Sequence, residues 1–143
     1  MDVAVHGLEL REVSVRSVLV PLHPPVQTSS AHLPHAPLVL LDLRTEQGIT
    51  GRSYVFCYTP LVLAPLARLV HDIGQALVGT ALTPSTVQAG LESRFRLLRP
   101  QGLVTMAAAG IDIAVWDALS QAAGLPLVSL LGGRPEPVPA YAS

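Results

Sequence analysis

Residues Ala107 to Gly133 read AAAGIDIAVWDALSQAAGLPLVSLLGG, and the fold turns on them. Between Arg99 and Arg134 the only charges are Asp112 and Asp117, while Ala107, Ala108, Ala109, Gly110, Ala114 and Ala118 cover more than one helical face. A helix that is apolar nearly all round is buried on all sides, and small side chains let its neighbours approach closely. The pattern predicts a helix over roughly 102–123. Gly124 and Pro126 then form a C′ glycine and a stop, and a short helix ends at Gly132-Gly133. Asp112 and Asp117 do not read as paired catalytic carboxylates, because five residues at 100° each set them about 140° apart around the helix. Hydrogen-bonding or capping roles suit them better.

Working back along the chain, Thr59-Pro60 and Thr83-Pro84 each place a hydroxyl before a proline, which is how a capped helix with proline at its first position is written. Two more helices are therefore expected, roughly 60–78 and 84–98, separated from each other and from the third by Gly79 and Arg99-Pro100-Gln101-Gly102. Pro65 blurs the first start, which could instead fall near Ala64. Before Tyr58 the period is two. Leu8 and Leu10 alternate with Glu9 and Arg11, then Val13 and Val15 with Ser14 and Arg16, and the slip in phase predicts a long strand with bulges. Leu38 to Leu43 and Ile49 to Phe56, joined by Glu46-Gln47-Gly48, form a hairpin signal. Val138 to Ser143 reads as one further strand. The expected fold is α+β: a three-stranded antiparallel meander followed by a bundle of three to four helices. Such a sheet covers one side of the third helix only, so something else should cover the rest. Between the first two strands, Pro21 to Pro37 holds five prolines and fits neither helix nor central strand. A loop longer than about 12–15 residues in a compact domain is usually functional, which makes this segment the first place to look.

Composition narrows the classes. The 143 residues are 50% apolar and 13% charged, with a mean hydropathy of +0.47 and a net charge of −1 from nine arginines, ten acids and no lysine. One domain with a real core fits that length, and disorder or an electrostatic nucleic-acid binder does not. Without lysine, no Schiff base, lysine general base or P-loop phosphate contact can be built. The longest uncharged stretch, Ser17 to Leu41, carries too many prolines and histidines for an apolar membrane span of about 20 residues. The start, with Asp2, His6, Glu9 and Arg11, lacks a signal peptide's basic head and apolar centre. A soluble cytoplasmic chain is the expectation. Cys57 is the single cysteine and reads as a small buried hydrophobe.

The Ala107 to Gly133 block resembles the signature that closes the N-terminal capping domain of enolase-superfamily enzymes in the mandelate racemase and muconate-lactonizing group. Ala36-Pro37-Leu38-Val39-Leu40, Gly51-Arg52-Ser53-Tyr54, Tyr58-Thr59-Pro60 and Pro137 to Ser143 are similar to the mandelate-racemase branch, at its spacing. Ser120-Gln121 departs from the Gly-Lys that many relatives carry there. The resemblance implies a capping domain over 1–135 and the start of a (β/α) barrel at 136–143, the barrel's remainder being absent from this chain. It also implies where the chemistry sits. A lysine base, an opposing histidine–aspartate pair and three acidic ligands for Mg²⁺ belong to that barrel, so no metal ligand and no catalytic residue is expected here. The reaction implied for the intact enzyme is Mg²⁺-assisted abstraction of the proton α to a carboxylate, in a racemase or dehydratase of α-hydroxy or sugar acids. This chain alone is expected to be inactive, and the intact enzyme to be a homo-oligomer that binds neither nucleic acid nor membrane.

Carried over position by position, the resemblance puts Val26, Thr28 and Leu33 on a first capping loop facing the substrate. Tyr58 falls on a second loop, and Ser143 near the substrate carboxylate. Leu33 is larger than the valine expected, and His32, Pro34 and His35 replace small residues. Each has a blander reading. Val26 and Leu33 could anchor a loop against the sheet, and His32 with His35 could suggest a metal pair, although Pro34 between them forbids helical spacing and no third ligand follows. Tyr54 reads as core, and His71-Asp72 as a solvated face. The alternative to a capping domain is a free-standing small-molecule or protein-binding α+β module. A large exposed apolar patch on the third helix or the final strand is expected if no barrel covers it.

Overall fold

A computed structural model describes residues 7–29, 32–98 and 101–141. Three antiparallel strands in the order β1-β2-β3 come first: β1 (Leu10–Gln27), β2 (His32–Thr45) and β3 (Thr50–Phe56). Helices α1 (Leu63–Gln75), α2 (Pro84–Arg94), α3 (Leu103–Ala123) and α4 (Leu127–Leu130) follow, with a 3₁₀ turn at Pro60–Val62. The α+β meander and the four helices stand as the sequence predicts.

The β2–β3 turn closes on Gly48, whose φ of 81° suits a residue without a Cβ. Thr45, fully buried, donates its hydroxyl to the Ile49 carbonyl at 3.0 Å. Ahead of β1, the chain is tied to the segment between α1 and α2: Leu82 N–H donates to Leu8 O at 2.7 Å and Gly79 N–H to Leu10 O at 2.7 Å. The expected bulge in β1 falls between Leu10 and Glu12.

Helix α1 buries Leu66, Val70, Ile73 and Gly74, the i, i+4, i+7, i+8 stripe of an amphipathic helix. Pro65 sits in its first turn, where its missing N–H has no intrahelical partner to lose. Thr59 caps the 3₁₀ turn rather than α1. Thr83 caps α2 as expected, accepting from Thr86 N–H at 3.1 Å. Helix α2 ends at Arg94, short of the expected residue 98, because Arg94 turns back to donate to Ala76 O at 3.1 Å and Phe95 folds onto the core, leaving Leu97 96% exposed. Arg99 and Pro100 lie outside the described residues.

Helix α3 is long and apolar enough to cross a membrane by length and composition, with a mean hydropathy of 1.5. Its small residues instead face protein. Ala107, Gly110, Ala114 and Ala118 are buried with Ile111 and Val115. At Gly51 of β3 a Cβ would land on the Ala114 carbonyl oxygen and 2.9 Å from the Ala118 Cβ, and at Gly110 one would sit 2.6 Å from Val55 Cγ2. Ser53 Oγ donates to Gly110 O at 2.6 Å. The cover is one-sided, as expected for a helix backed by a three-stranded sheet: Thr105, Ala109 and Ile113, spaced four apart, form an exposed row, with Ile113 50% exposed. Among the described residues the three strands and the three other helices pack on the opposite faces.

Two further expectations are corrected. Most of the expected loop is strand: residues 21–27 and 32–37 are the two sides of an arm, in which Pro21 pairs with His35, Leu19 with Pro37 and Val26 with Leu33. Proline is tolerated because β1 is an edge strand, Pro24 and Pro25 fall in the register shift between Pro21 and Val26, and β2 loses its second neighbour beyond Leu38. The His23–Pro24 peptide bond is cis. Residues 138–141 form no strand: Pro137 and Pro139 lack ladder donors, and the segment lies exposed with no strand beside it among the described residues.

Candidate functional site

The arm is the first place to look. Beyond the Leu38–Phe56 pair the sheet narrows to β1 and β2 alone, a ribbon that runs on to Gln27 and His32. The last tie to β3 is Cys57 N–H donating to Pro37 O at 2.9 Å. Val26 and Leu33 face each other across this ribbon, Val26 47% exposed and Leu33 half-buried. Thr28 is exposed in the connection that follows β1. Gln27 Oε1 and His32 Nδ1 lie 2.8 Å apart and tie the strand ends together.

Tyr58 lies at the other end of the arm. It follows β3 with φ 59°, a left-handed conformation that a residue with a Cβ rarely adopts, and is 68% exposed. Its ring packs edge-on against Phe56, centroids 4.7 Å apart. The structure therefore brings Val26 and Leu33 together with Thr28 beside them, and leaves Tyr58 at the base, about four residues or roughly 13 Å down the ribbon. Ser143 lies outside the described residues.

Tyr54, read from the sequence as core, is 64% exposed. The alternation of β3 sets Gly51, Ser53 and Val55 directly against α3 and takes Tyr54 out of that contact, so the period of two already contained this signal. Tyr54, Phe56 and Tyr58 join Met106, Ala109 and Ile113 in a groove of about 250 Å³ between β3 and α3. A second groove, about 340 Å³, lies on the other side of the same ridge between α2 and α3 and includes Asp112.

The titratable groups are mostly engaged. Asp117 Oδ2 accepts from Arg52 N–H at 2.7 Å and from Gln121 Nε2 at 2.8 Å, and Gln121 also donates to Thr50 O at 2.9 Å, so α3 caps the free edge of β3 with side chains. This is the hydrogen-bonding role expected for Asp117. His71 and Asp72 are exposed, as expected, and the Arg68 hydrogen bond holds the Asp72 carboxyl below its ordinary range. Cys57 is 2% exposed, and burial pushes its thiol up. Among the described residues no three His, Cys, Asp or Glu side chains converge.

The family described as mandelate racemase / muconate lactonizing enzyme, N-terminal domain, matches residues 10–132. The chain belongs to that family. A Bradyrhizobium enolase crystallised with magnesium and mandelic acid superposes on this domain with a TM-score of 0.89 at 47% identity, covering 96% of this chain and 38% of that one. The D-galactonate dehydratase of Variovorax paradoxus is 31% identical over 102 residues, 67% of this chain and 25% of its own length. The hydrophobic dipeptide epimerase of Enterococcus faecalis is 28% identical over 130 residues, 88% of this chain and 35% of its own. This N-terminal domain thus spans about a quarter to a third of the length of those curated relatives.

Proposed function

We propose that this domain closes over the mouth of a (β/α) barrel and selects the substrate of a Mg²⁺-assisted abstraction of the proton α to a carboxylate, by a racemase or dehydratase. The observation that carries the reading is the arm: a two-stranded ribbon that leaves the core, bears the facing pair Val26 and Leu33, and has Tyr58 at its base. A ribbon without a third strand or a helix beneath it contributes little to the core, and an apolar pair held out from a rigid sheet suits contact with something outside the domain. In this reading the arm excludes water from the reacting centre and Val26, Thr28, Leu33 and Tyr58 contact the substrate's distal group, with Ser143 near its carboxylate. In this reading the barrel holds the metal, and no step of this domain runs through it.

The apolar character of Val26, Leu33 and Tyr58 favours an aryl or aliphatic distal group over a polyol. The test joins residues 1–143 to the polypeptide that follows the matching segment in the Bradyrhizobium relative and follows α-proton exchange in deuterated water by NMR. Exchange of mandelate by the joined protein, and none by the 143-residue chain alone, is the expected result. Turnover of sugar acids with mandelate untouched overturns the substrate preference, and exchange by the isolated chain overturns the reading as a capping domain in favour of a self-sufficient module.

A further inference from the structure

Three carboxylates are half-buried among the described residues, and two of them are engaged. Asp42 has Arg16 at 3.8 Å and Arg52 at 3.7 Å, and Asp117 holds the Arg52 N–H and Gln121. Asp112 has neither an ion pair nor a hydrogen bond among the described residues. It lines the groove between Val87 and Leu91 of α2 and Thr105, Ala108 and Ala109 of α3. A carboxylate partly withdrawn from water among aliphatic side chains is costly unless a cation or donor meets it. The groove does not end at Asp112. Ala109 also lines the neighbouring groove with Tyr58 and Ile113, so one apolar face with a single fixed negative charge runs from α2 across the exposed row of α3 to β3.

We propose that this face is the seat of an arginine- or lysine-bearing element of the further polypeptide that the relatives carry, its cation on Asp112 and its apolar flank across Ala109 and Ile113. The proposal rests on the reading of the chain as a domain that works against a barrel, and names the chemistry by which the two recognise each other. Charge complementarity fixes the occupant: among the described residues that line it the face offers one anion and no cation, and an element without a positive charge would leave Asp112 half-buried and unpaired.

The experiment compares Asp112→Asn in two backgrounds, the 143-residue chain and the same chain joined to the remainder of the Bradyrhizobium relative. In the isolated chain the substitution removes an unpaired charge and is expected to leave the thermal midpoint unchanged or slightly raised. In the joined protein it is expected to lower the midpoint by several degrees. A fall in both backgrounds, or in neither, overturns the proposal. Ile113→Asp in the joined protein separates the two readings. If it lowers the midpoint while Asp112→Asn does not, docking stands and the charged anchor falls; if neither does, docking falls too, whatever the α-proton exchange assay reports. Should the joined protein fail to fold, the isolated chain is titrated with n-pentylguanidinium while the fluorescence of Trp116, one helical turn from Asp112, is followed. Binding at least five-fold weaker in Asp112→Asn is the expected result, and equal binding overturns the proposal.

Discussion

Strands β1 and β2 are part of two different materials. From Leu10 to about Ser17, and from Val39 to Thr45, they belong to a sheet whose inner face holds Val13, Val39, Leu41 and Leu43 against α1 and α3 at 0–6% exposure. Further out the same two strands form a ribbon on which Leu19, Val20 and Val26 are 41–48% exposed. The ladder hydrogen bonds continue; what changes is the layer underneath. Backbone pairing fixes the shape of an element, while side-chain burial determines how much its residues matter to stability. The β3–α3 seam should therefore fail on the smallest addition of volume, and the arm should tolerate truncation.

The seam offers the largest effect. Gly51→Ala places a methyl on the Ala114 carbonyl and against the Ala118 Cβ, neither of which can rotate away, so α3 must move as a unit. A loss of about 3 kcal/mol or more is expected, at the upper end of overpacking costs, read from the urea midpoint. Gly110→Ala faces only the end of the Val55 side chain and gains up to about 1 kcal/mol of helix propensity, so its net cost should be about 1 kcal/mol or less. Equal midpoints for the two variants would mean that the seam is not closed at Gly51.

The arm offers the opposite result. Val26→Ala and Leu33→Ala are expected to change stability by no more than about 0.5 kcal/mol, because neither side chain belongs to the core cluster. In the joined protein the same pair should shift the ratio of aryl-acid to sugar-acid turnover, which a purely structural pair would leave alone. A loss of about 2 kcal/mol in the isolated chain would show the arm to be packed core, and the comparison would break.

How much of this the sequence carried follows the same division. Local signals were legible: Gly48 in its turn, Thr83 before Pro84, Gly124 at the end of α3 with φ 63°. The Ala-rich pattern of α3 announced close approach, and Gly51 and Gly110 deliver it. What depended on neighbours was not legible. Five prolines argued against a strand, but their cost depends on whether a ladder partner is lost, and sequence alone does not place β1 at an edge. Asp117 reaches a backbone N–H 65 residues away, which no local pattern encodes. Asp112 looks the same in sequence as Asp117, and only the fold leaves Asp117 engaged and Asp112 without a partner among the described residues. Val26, Thr28, Leu33 and Tyr58 came from family resemblance, and the fold sets Tyr58 apart from the other three.

The smallest predicted effect lies on the boundary between the two materials. Cys57 donates its backbone N–H to Pro37 O, the last bond before the ribbon begins, and its thiol reaches the Val55 carbonyl at 3.8 Å. Burial disfavours the thiolate and raises the pKa above its ordinary value of 9.0, with a backbone hydrogen bond from Val39 acting weakly the other way. The folded chain therefore holds the Cys57 proton at a pH where the unfolded chain has released it. This contribution to stability is fully present below the unfolded pKa and is lost as pH rises through the folded one. Stability should decline slightly as pH climbs above about 9, the decline should be smaller in Cys57→Ala, and the native thiol should react with a disulfide reagent far more slowly than the unfolded one. Reaction at the unfolded rate would mean that the ribbon opens as far as β3, moving the boundary inward from Pro37 and making the arm longer than its strand pairing indicates.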